Sequence, residues 1–268
     1  MSPALDRAKT FHRLHESGCF VMPNPWDAGT ARVLAQLGFS ALATTSSGSA
    51  WSMGHADNHI SMEQSLDHMR AIAASVDLPV NADFEGGFAV RPDDVAAHVA
   101  RAIETGVAGL SIEDSTGDSL HPLFGFELSV DRIRAARGAI DRSGIPVVLT
   151  GRSEGFIVGR PDLKETIRRL AAYAEAGADC LYAPGLSTLD DIRAVVNASA
   201  PRPVNVLARP TLSVAALADT GVRRISIGGS FARAAWTAFL EAARETAERG
   251  TFTAIGRAMP GAELNGLF

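Results

Sequence analysis

Eight short apolar runs punctuate the chain: CFVMP, SALATTS, PVNADFE, AGLSIED, IPVVLTGR, ADCLYAPG, RPVNVLAR and RRISIGG. Gly, Pro or polar residues bound each one. Their shortness and nearly continuous apolar character predict strands buried on both faces. Between them the period changes to that of a helix. SMEQSLDHMRAIAASV places Leu66, Met69, Ile72, Ala73 and Val76 on one face, and Ser61 with Gln64 reads as a capping box. RPDDVAAHVARAIETG starts with Pro92 near its first turn and stops at Gly106, and RPDLKETIRRLAAYAEAG repeats that design from Pro161 to Gly177. ETGVAGLSI, EAGADCLYA and DTGVRRISI share one pattern, a helix ending at Gly and a strand a few residues later.

Eight strands alternating with eight helices predict an α/β fold, a single (β/α)8 barrel occupying residues 1–268 as one catalytic domain. A doubly wound open sheet is the alternative. The regular count and the length favour the barrel. The tail TFTAIGRAMPGAELNGLF shows no clear period and is expected to pack on the barrel or on a partner subunit.

Composition narrows the class. The chain has 268 residues, 46% of them hydrophobic, and a net charge of −5, which argues against nucleic acid and anionic membranes as partners. No signal-peptide pattern and no long apolar run is present, so a cytoplasmic protein is expected. Cys19 and Cys180 form neither a disulfide framework nor a zinc pattern.

In such a barrel the chemistry sits at the C-terminal ends of the strands. The unusual polar residues fall there: Thr45 and Ser46 after the second strand, Asp83 and Glu85 at the third, Glu113 and Asp114 at the fourth, Arg152 at the fifth, Asn205 in the seventh. Strand alternation puts Asn81, Asp83 and Glu85 on one face, and Asp83, Glu85, Glu113, Arg152 and Asn205 are expected to converge on one pocket. Three carboxylates with neutral oxygens suit a hard cation, Mg²⁺ or Mn²⁺, held by one or two direct carboxylates with the others on its waters. Arg152 offers a fork for a substrate carboxylate or phosphonate. The loop TTSSGSAWSMG, with Ser46, Ser47 and Gly48, offers N–H groups to an anion. GGSFARAA reads either as a phosphate-binding turn or as a simple tight turn. His12, His15, His68 and His98 are expected to face solvent.

These residues resemble the isocitrate lyase/phosphoenolpyruvate mutase superfamily, through TTSSGSAWSMGHAD, VNADFEGGF, AGLSIEDSTGD and VLTGRSE. The resemblance implies a barrel whose last helix is swapped between subunits, homodimers or homotetramers, Mg²⁺, and a small anionic 2-oxo or 2-hydroxy acid handled through an enolate. It implies direct metal binding by Asp83 and metal-bound waters held by Asp57, Glu85 and Glu113. Glu85 replaces the family's more usual Asp. Arg152 would contact substrate, and the loop with Thr45 and Ser46 would grip its carboxylate. The lyases of this family carry Lys-Cys-Gly-His after the fourth strand, and the phosphonomutases a Lys and an Asn. This chain reads STGDSLHPLFGFE there, with His121 as the one imidazole able to donate a proton if the loop closes. Pro184 stands where the family often has Glu or His. The expected activity is a carbon–carbon lyase, decarboxylation tolerating the missing Cys best. The alternatives are a C–P mutase or hydrolase, and a 2-oxoacid-binding protein with little catalysis.

Overall fold

The computed structural model describes residues 3–268. Eight strands form one parallel sheet: β1 (Phe20–Met22), β2 (Leu42–Ala43), β3 (Val80–Asp83), β4 (Gly109–Glu113), β5 (Val148–Arg152), β6 (Cys180–Tyr182), β7 (Val204–Leu207) and β8 (Arg224–Ser226). Their order is β1-β8-β7-β6-β5-β4-β3-β2. The two ends meet where Ala43 N–H donates to the Pro23 carbonyl at 3.0 Å. The architecture is therefore an eight-stranded parallel, nearly closed barrel.

Eleven α-helices lie among the described residues: α1 (Pro3–Glu16), α2 (Ala28–Gln36), α3 (Ser46–Ser52), α4 (Met62–Ser75), α5 (Pro92–Ile103), α6 (Phe126–Ser143), α7 (Leu163–Glu175), α8 (Leu189–Ser199), α9 (Val214–Asp219), α10 (Ser230–Arg249) and α11 (Gly261–Asn265). Eight was the expectation. The surplus comes from α1 ahead of the first strand, α3 inserted after β2, and α11 in the tail. The capping box of α4 forms as the sequence requires, with Ser61 and Gln64 exchanging backbone hydrogen bonds. Pro92 opens α5, but Pro161 lies outside α7, whose N-cap is Asp162. The Asp162 carboxylate accepts from Glu165 N–H, so the cap side chain and not the proline sets that start. Gly106, Gly177 and Gly221, at the three like-patterned helix ends, all have positive φ. Only glycine takes that left-handed turn without a Cβ penalty.

The main core lies between the strands and the outer helices. A second apolar cluster fills the barrel interior, where Phe11 of α1 packs with Met22, Ala43, Ala108, Val148 and Cys180. A Cβ on Gly109 would come within 2.5 Å of the Phe11 ring, so this glycine admits the plug. The tail folds back through Glu245, whose carboxylate accepts from Thr251 Oγ1 (2.6 Å), Thr253 N–H (2.9 Å) and Ala254 N–H (2.7 Å). Its end is tied by Gln36 Nε2 donating to the Leu267 carbonyl at 2.8 Å. No helix of the described residues is long and apolar enough to cross a membrane.

Strand β1 is joined to β2 and β8 by one buried amide that the sequence patterns did not single out. Asn24 Nδ2 donates to the Thr44 carbonyl (2.8 Å), and its Oδ1 accepts from Ile227 N–H (2.9 Å) and Gly228 N–H (2.8 Å). Asn24→Ala is expected to lower stability by about 2–4 kcal/mol, three hydrogen bonds at about 1 kcal/mol each. Urea unfolding measures it, and a change below about 0.5 kcal/mol would show that the seam holds without Asn24.

Candidate active site

At the C-terminal mouth of the barrel a cavity of about 170 Å3 opens beside Arg152. The last residue of β5, Arg152 gathers carboxylates from neighbouring strands. Its Nη1 lies 3.1 Å from Asp83 Oδ1 and 3.2 Å from Glu113 Oε2, and its Nε bonds Glu154. The guanidinium also sits 5.3 Å over the Tyr182 ring. Glu154, two residues beyond β5, was not anticipated; the R-x-E spacing was its only signal.

Asp83 is fixed from two sides. Ser46 donates both its N–H (3.0 Å) and its hydroxyl (2.8 Å) to Asp83 Oδ2, while Arg152 takes Oδ1. The stretch from Ser46 is therefore not the open anion-binding loop expected of it but a helix, α3. Thr45 caps α3, its hydroxyl accepting from Gly48 N–H at 3.3 Å. Thr45, Ser46 and Ser47 line the cavity, and Gly48 does not. Gly48 is a packing residue: a Cβ there would meet Thr45 at 2.6 Å and Trp26 at 3.1 Å. Gly228 and Gly229 also line the cavity, and a Cβ on Gly229 would strike Ser47 Oγ at 2.6 Å. Gly229 thus lets the starts of α3 and α10 approach each other.

Glu85 departs from the expected alternation. The strand ends at Asp83, and Glu85 has φ +47°, a left-handed conformation that costs a non-glycine residue of order 1 kcal/mol. It turns instead toward an adjoining cavity of about 290 Å3, shared with Glu113, Phe88 and Arg132. Its buried Oε1 has no hydrogen-bond partner. Burial, then the Asp83 and Asp57 charges, push the Glu85 carboxyl up to about 7. Burial also raises Glu113 and Glu154, against the opposing pull of Arg152. Asp57, on the exposed loop after α3, lines the main cavity and is raised by desolvation and by Asp83.

The remaining expected residues divide. Asn205 lines the cavity but its amide is committed, accepting from Arg224 Nε (2.9 Å) and donating to Ser226 Oγ (3.0 Å). Pro184 and Tyr182 line it too. His121 does not: it stands 83% exposed on the 115–123 loop, paired to Asp118 at 3.3 Å. That loop is folded on itself, Thr116 N–H donating to the Pro122 carbonyl at 3.0 Å. Asp114 points into a separate buried cluster, accepting from Arg169 (3.0 Å), Tyr173 (2.6 Å) and Glu154 N–H (2.7 Å). The four helix histidines are not free in solvent. Each bonds a backbone carbonyl: His12 that of Pro146, His15 that of Phe11, His68 that of Trp26 and His98 that of Gly87.

A family model described as phosphoenolpyruvate phosphomutase matches residues 11–247. The chain belongs to the PEP mutase/isocitrate lyase superfamily. It is 47% identical to a solved Burkholderia cenocepacia protein assigned no further than lyase/mutase, with TM-score 0.94 over 98% of this chain and 96% of that one. An uncharacterised Mycobacterium tuberculosis protein is 33% identical over 95% of this chain and 94% of its own. Phosphonopyruvate hydrolase, solved with oxalate and Mg²⁺, is 28% identical with TM-score 0.85, over 97% of this chain and 95% of that one.

The donor set of the superfamily member fits a divalent cation. Three carboxylates (Asp83, Glu113 and Glu154) pair with one guanidinium, Asp57 and Glu85 add two more acidic groups within the electrostatic influence of Asp83, and Glu85 keeps a buried oxygen unpartnered. No three His, Cys, Asp or Glu side chains among the described residues converge closely enough to ligate one ion directly. An ion held there would take few direct carboxylate ligands and keep most of its water.

Glu85 also gives the metal-free protein a pH dependence. Its folded value, about 7, lies above its ordinary 4.5, so its share of stability is present below pH 4.5 and lost as pH rises through about 7. That share is about 3 kcal/mol at most. Glu85→Gln is expected to flatten the stability profile between pH 4.5 and 8 in chelator, measured by denaturant unfolding. An unchanged slope would show that Glu85 titrates as it does in the unfolded chain.

Proposed function

We propose that this protein is a Mg²⁺- or Mn²⁺-dependent carbon–carbon lyase acting on a small 2-oxo or 2-hydroxy mono- or dicarboxylate, with decarboxylation the reaction its residues accommodate best. The observation that carries this reading is the excess of carboxylates around Arg152 at the barrel mouth. Asp83 would hold the ion, and Asp57, Glu85 and Glu113 its waters. When bound, the ion supplies Lewis-acid neutralisation of the enolate left by bond cleavage. Arg152 orients the substrate carboxylate, and Thr45 and Ser47 add hydroxyl donors. The 115–125 segment holds neither Cys nor Lys, which favours a cleavage that needs no dedicated acid from that loop.

The test is NMR-monitored incubation with Mg²⁺ and a pool of oxaloacetate, phosphonopyruvate, methylisocitrate, isocitrate and alkylmalates. Turnover of a 2-oxo or 2-hydroxy acid, reduced about 100-fold or more in Asp83→Ala, is expected. Full activity in that variant would remove Asp83 from the metal site. Turnover of phosphonopyruvate alone would move the reading to C–P chemistry, and oxalate binding without turnover to a binding protein.

The same reading includes a helix exchanged between subunits. Helix α10 buries only Ala232 and Glu245 along its 20 residues, and leaves Phe231, Trp236, Phe239 and Leu240 exposed. Such a face covers itself best on a second copy. Light scattering is expected to find a dimer or tetramer, and Trp236→Glu with Phe239→Glu to dissociate it. A monomeric wild type would rule the exchange out.

A further inference from the structure

Beneath the carboxylate layer the barrel interior holds a second arginine that the proposed chemistry does not use. Arg224 starts β8 and is 1% exposed. Its hydrogen-bond partners are three neutral acceptors, with Nε donating to Asn205 Oδ1 at 2.9 Å, Nη2 to Thr150 Oγ1 at 3.0 Å, and Nη1 meeting His15 Nε2 at 3.3 Å, and the guanidinium lies 5.9 Å from the centre of the Phe11 ring. The imidazole is neutral by geometry. His15 Nδ1 lies 2.7 Å from the Phe11 carbonyl, which only accepts, so Nδ1 carries the hydrogen and Nε2 presents its lone pair. Burial and the Arg224 charge hold His15 down at about 3, in keeping with that tautomer. No carboxylate among the described residues forms an ion pair with Arg224, unlike Arg152 above it.

A guanidinium has five N–H groups, and these contacts use three. One hydrogen on each Nη remains. Arg224 lines the floor of the main cavity, together with the hydroxyls of Ser111 and Ser226. A fully buried cation without a counter-charge is costly, and an oxyanion reaching it would offset that cost. The cavity supplies the route.

We propose that Arg224 makes the barrel floor an anion subsite, so that the cavity selects an acid carrying a second carboxylate directed toward β8 over the matching monocarboxylate. This rests on the reading that the reacting acid occupies the same cavity, and it names the dicarboxylates within that class. Arg224 is then a specificity-determining residue, distinct from Arg152, which faces the reacting end.

The test is isothermal titration of the full-length protein, with and without Mg²⁺, against malate and 2-hydroxybutyrate, which differ by a carboxylate in place of a methyl. The wild type is expected to prefer malate about tenfold or more, and Arg224→Met to bring that ratio below about threefold. Arg224→Lys keeps the charge and most of the preference. A wild type without preference, or an unchanged ratio in Arg224→Met, overturns the proposal. A strut serving only to tie α1 to the barrel would lower stability and leave the ratio alone. Should Arg224→Met not fold, arginine-labelled wild type decides by NMR. A slowly exchanging guanidinium resonance that shifts with malate and not with 2-hydroxybutyrate supports the subsite; equal shifts overturn it. Oxalate titrated with Mg²⁺ against wild type and Asp83→Ala reports separately on the metal reading, so either can fail while the other stands.

Discussion

Arg152 lies between Asp83, Glu113 and Glu154, and one positive charge holds three buried or half-buried carboxylates that would otherwise repel. The rest of the mouth is arranged around that imbalance. Ser46 spends both its donors on Asp83, which requires α3 to begin at that point and Thr45 to cap it. Glu85 and Asp57 form no ion pair with Arg152, and burial and Asp83 push them toward their neutral forms against its weaker opposing pull. Taking one partner from such a buried ion pair leaves an uncompensated charge, so the set stands or falls together.

The barrel supplies the stiffness that this crowding needs. Parallel pairing along β3, β4 and β5 fixes the register Asp83–Ser111–Thr150 and Glu113–Arg152. The backbone positions from which these carboxylates project are thereby held by ladder hydrogen bonds. Asn24 bridges the seam between β1 and β2 with one bond and ties β1 to the end of β8 with two. The interior is thereby layered: Phe11 as plug, then the neutral acceptors around Arg224, then the carboxylate ring.

The repeating strand and helix pattern, the three glycine helix ends and the α4 capping box were legible in the sequence because each depends on neighbours within a few residues. The parity of Asp83, Glu113 and Arg152 was legible for the same reason, since alternation along a strand is local. Glu85 was misplaced because alternation ends where the strand ends, and the left-handed turn at that residue answers to the β3–α5 connection as a whole. Ser46–Ser52 read as a loop because its serines and glycine have low helix propensity. The Asp83 carboxylate, 37 residues away, is what rewards the helical start.

The sequence by itself determined the (β/α)8 barrel, the family, and which strand ends carry charge, since period and motif are properties of adjacent residues. Only the tertiary structure decided what each charge faces. It turned Asp114 away to Arg169 and Tyr173, left His121 on an exposed tip, and brought in Glu154 beside Arg152. It also set Arg224 alone among neutral acceptors. The physical reason is that burial and pairing partner are set by distance in space: the partners of the Asp114 side chain lie 40 to 59 residues away along the chain and those of Arg224 lie 19 to 209 residues away, while the nearby pairs of Arg152 with Glu154 and His121 with Asp118 take their burial or exposure from the fold around them.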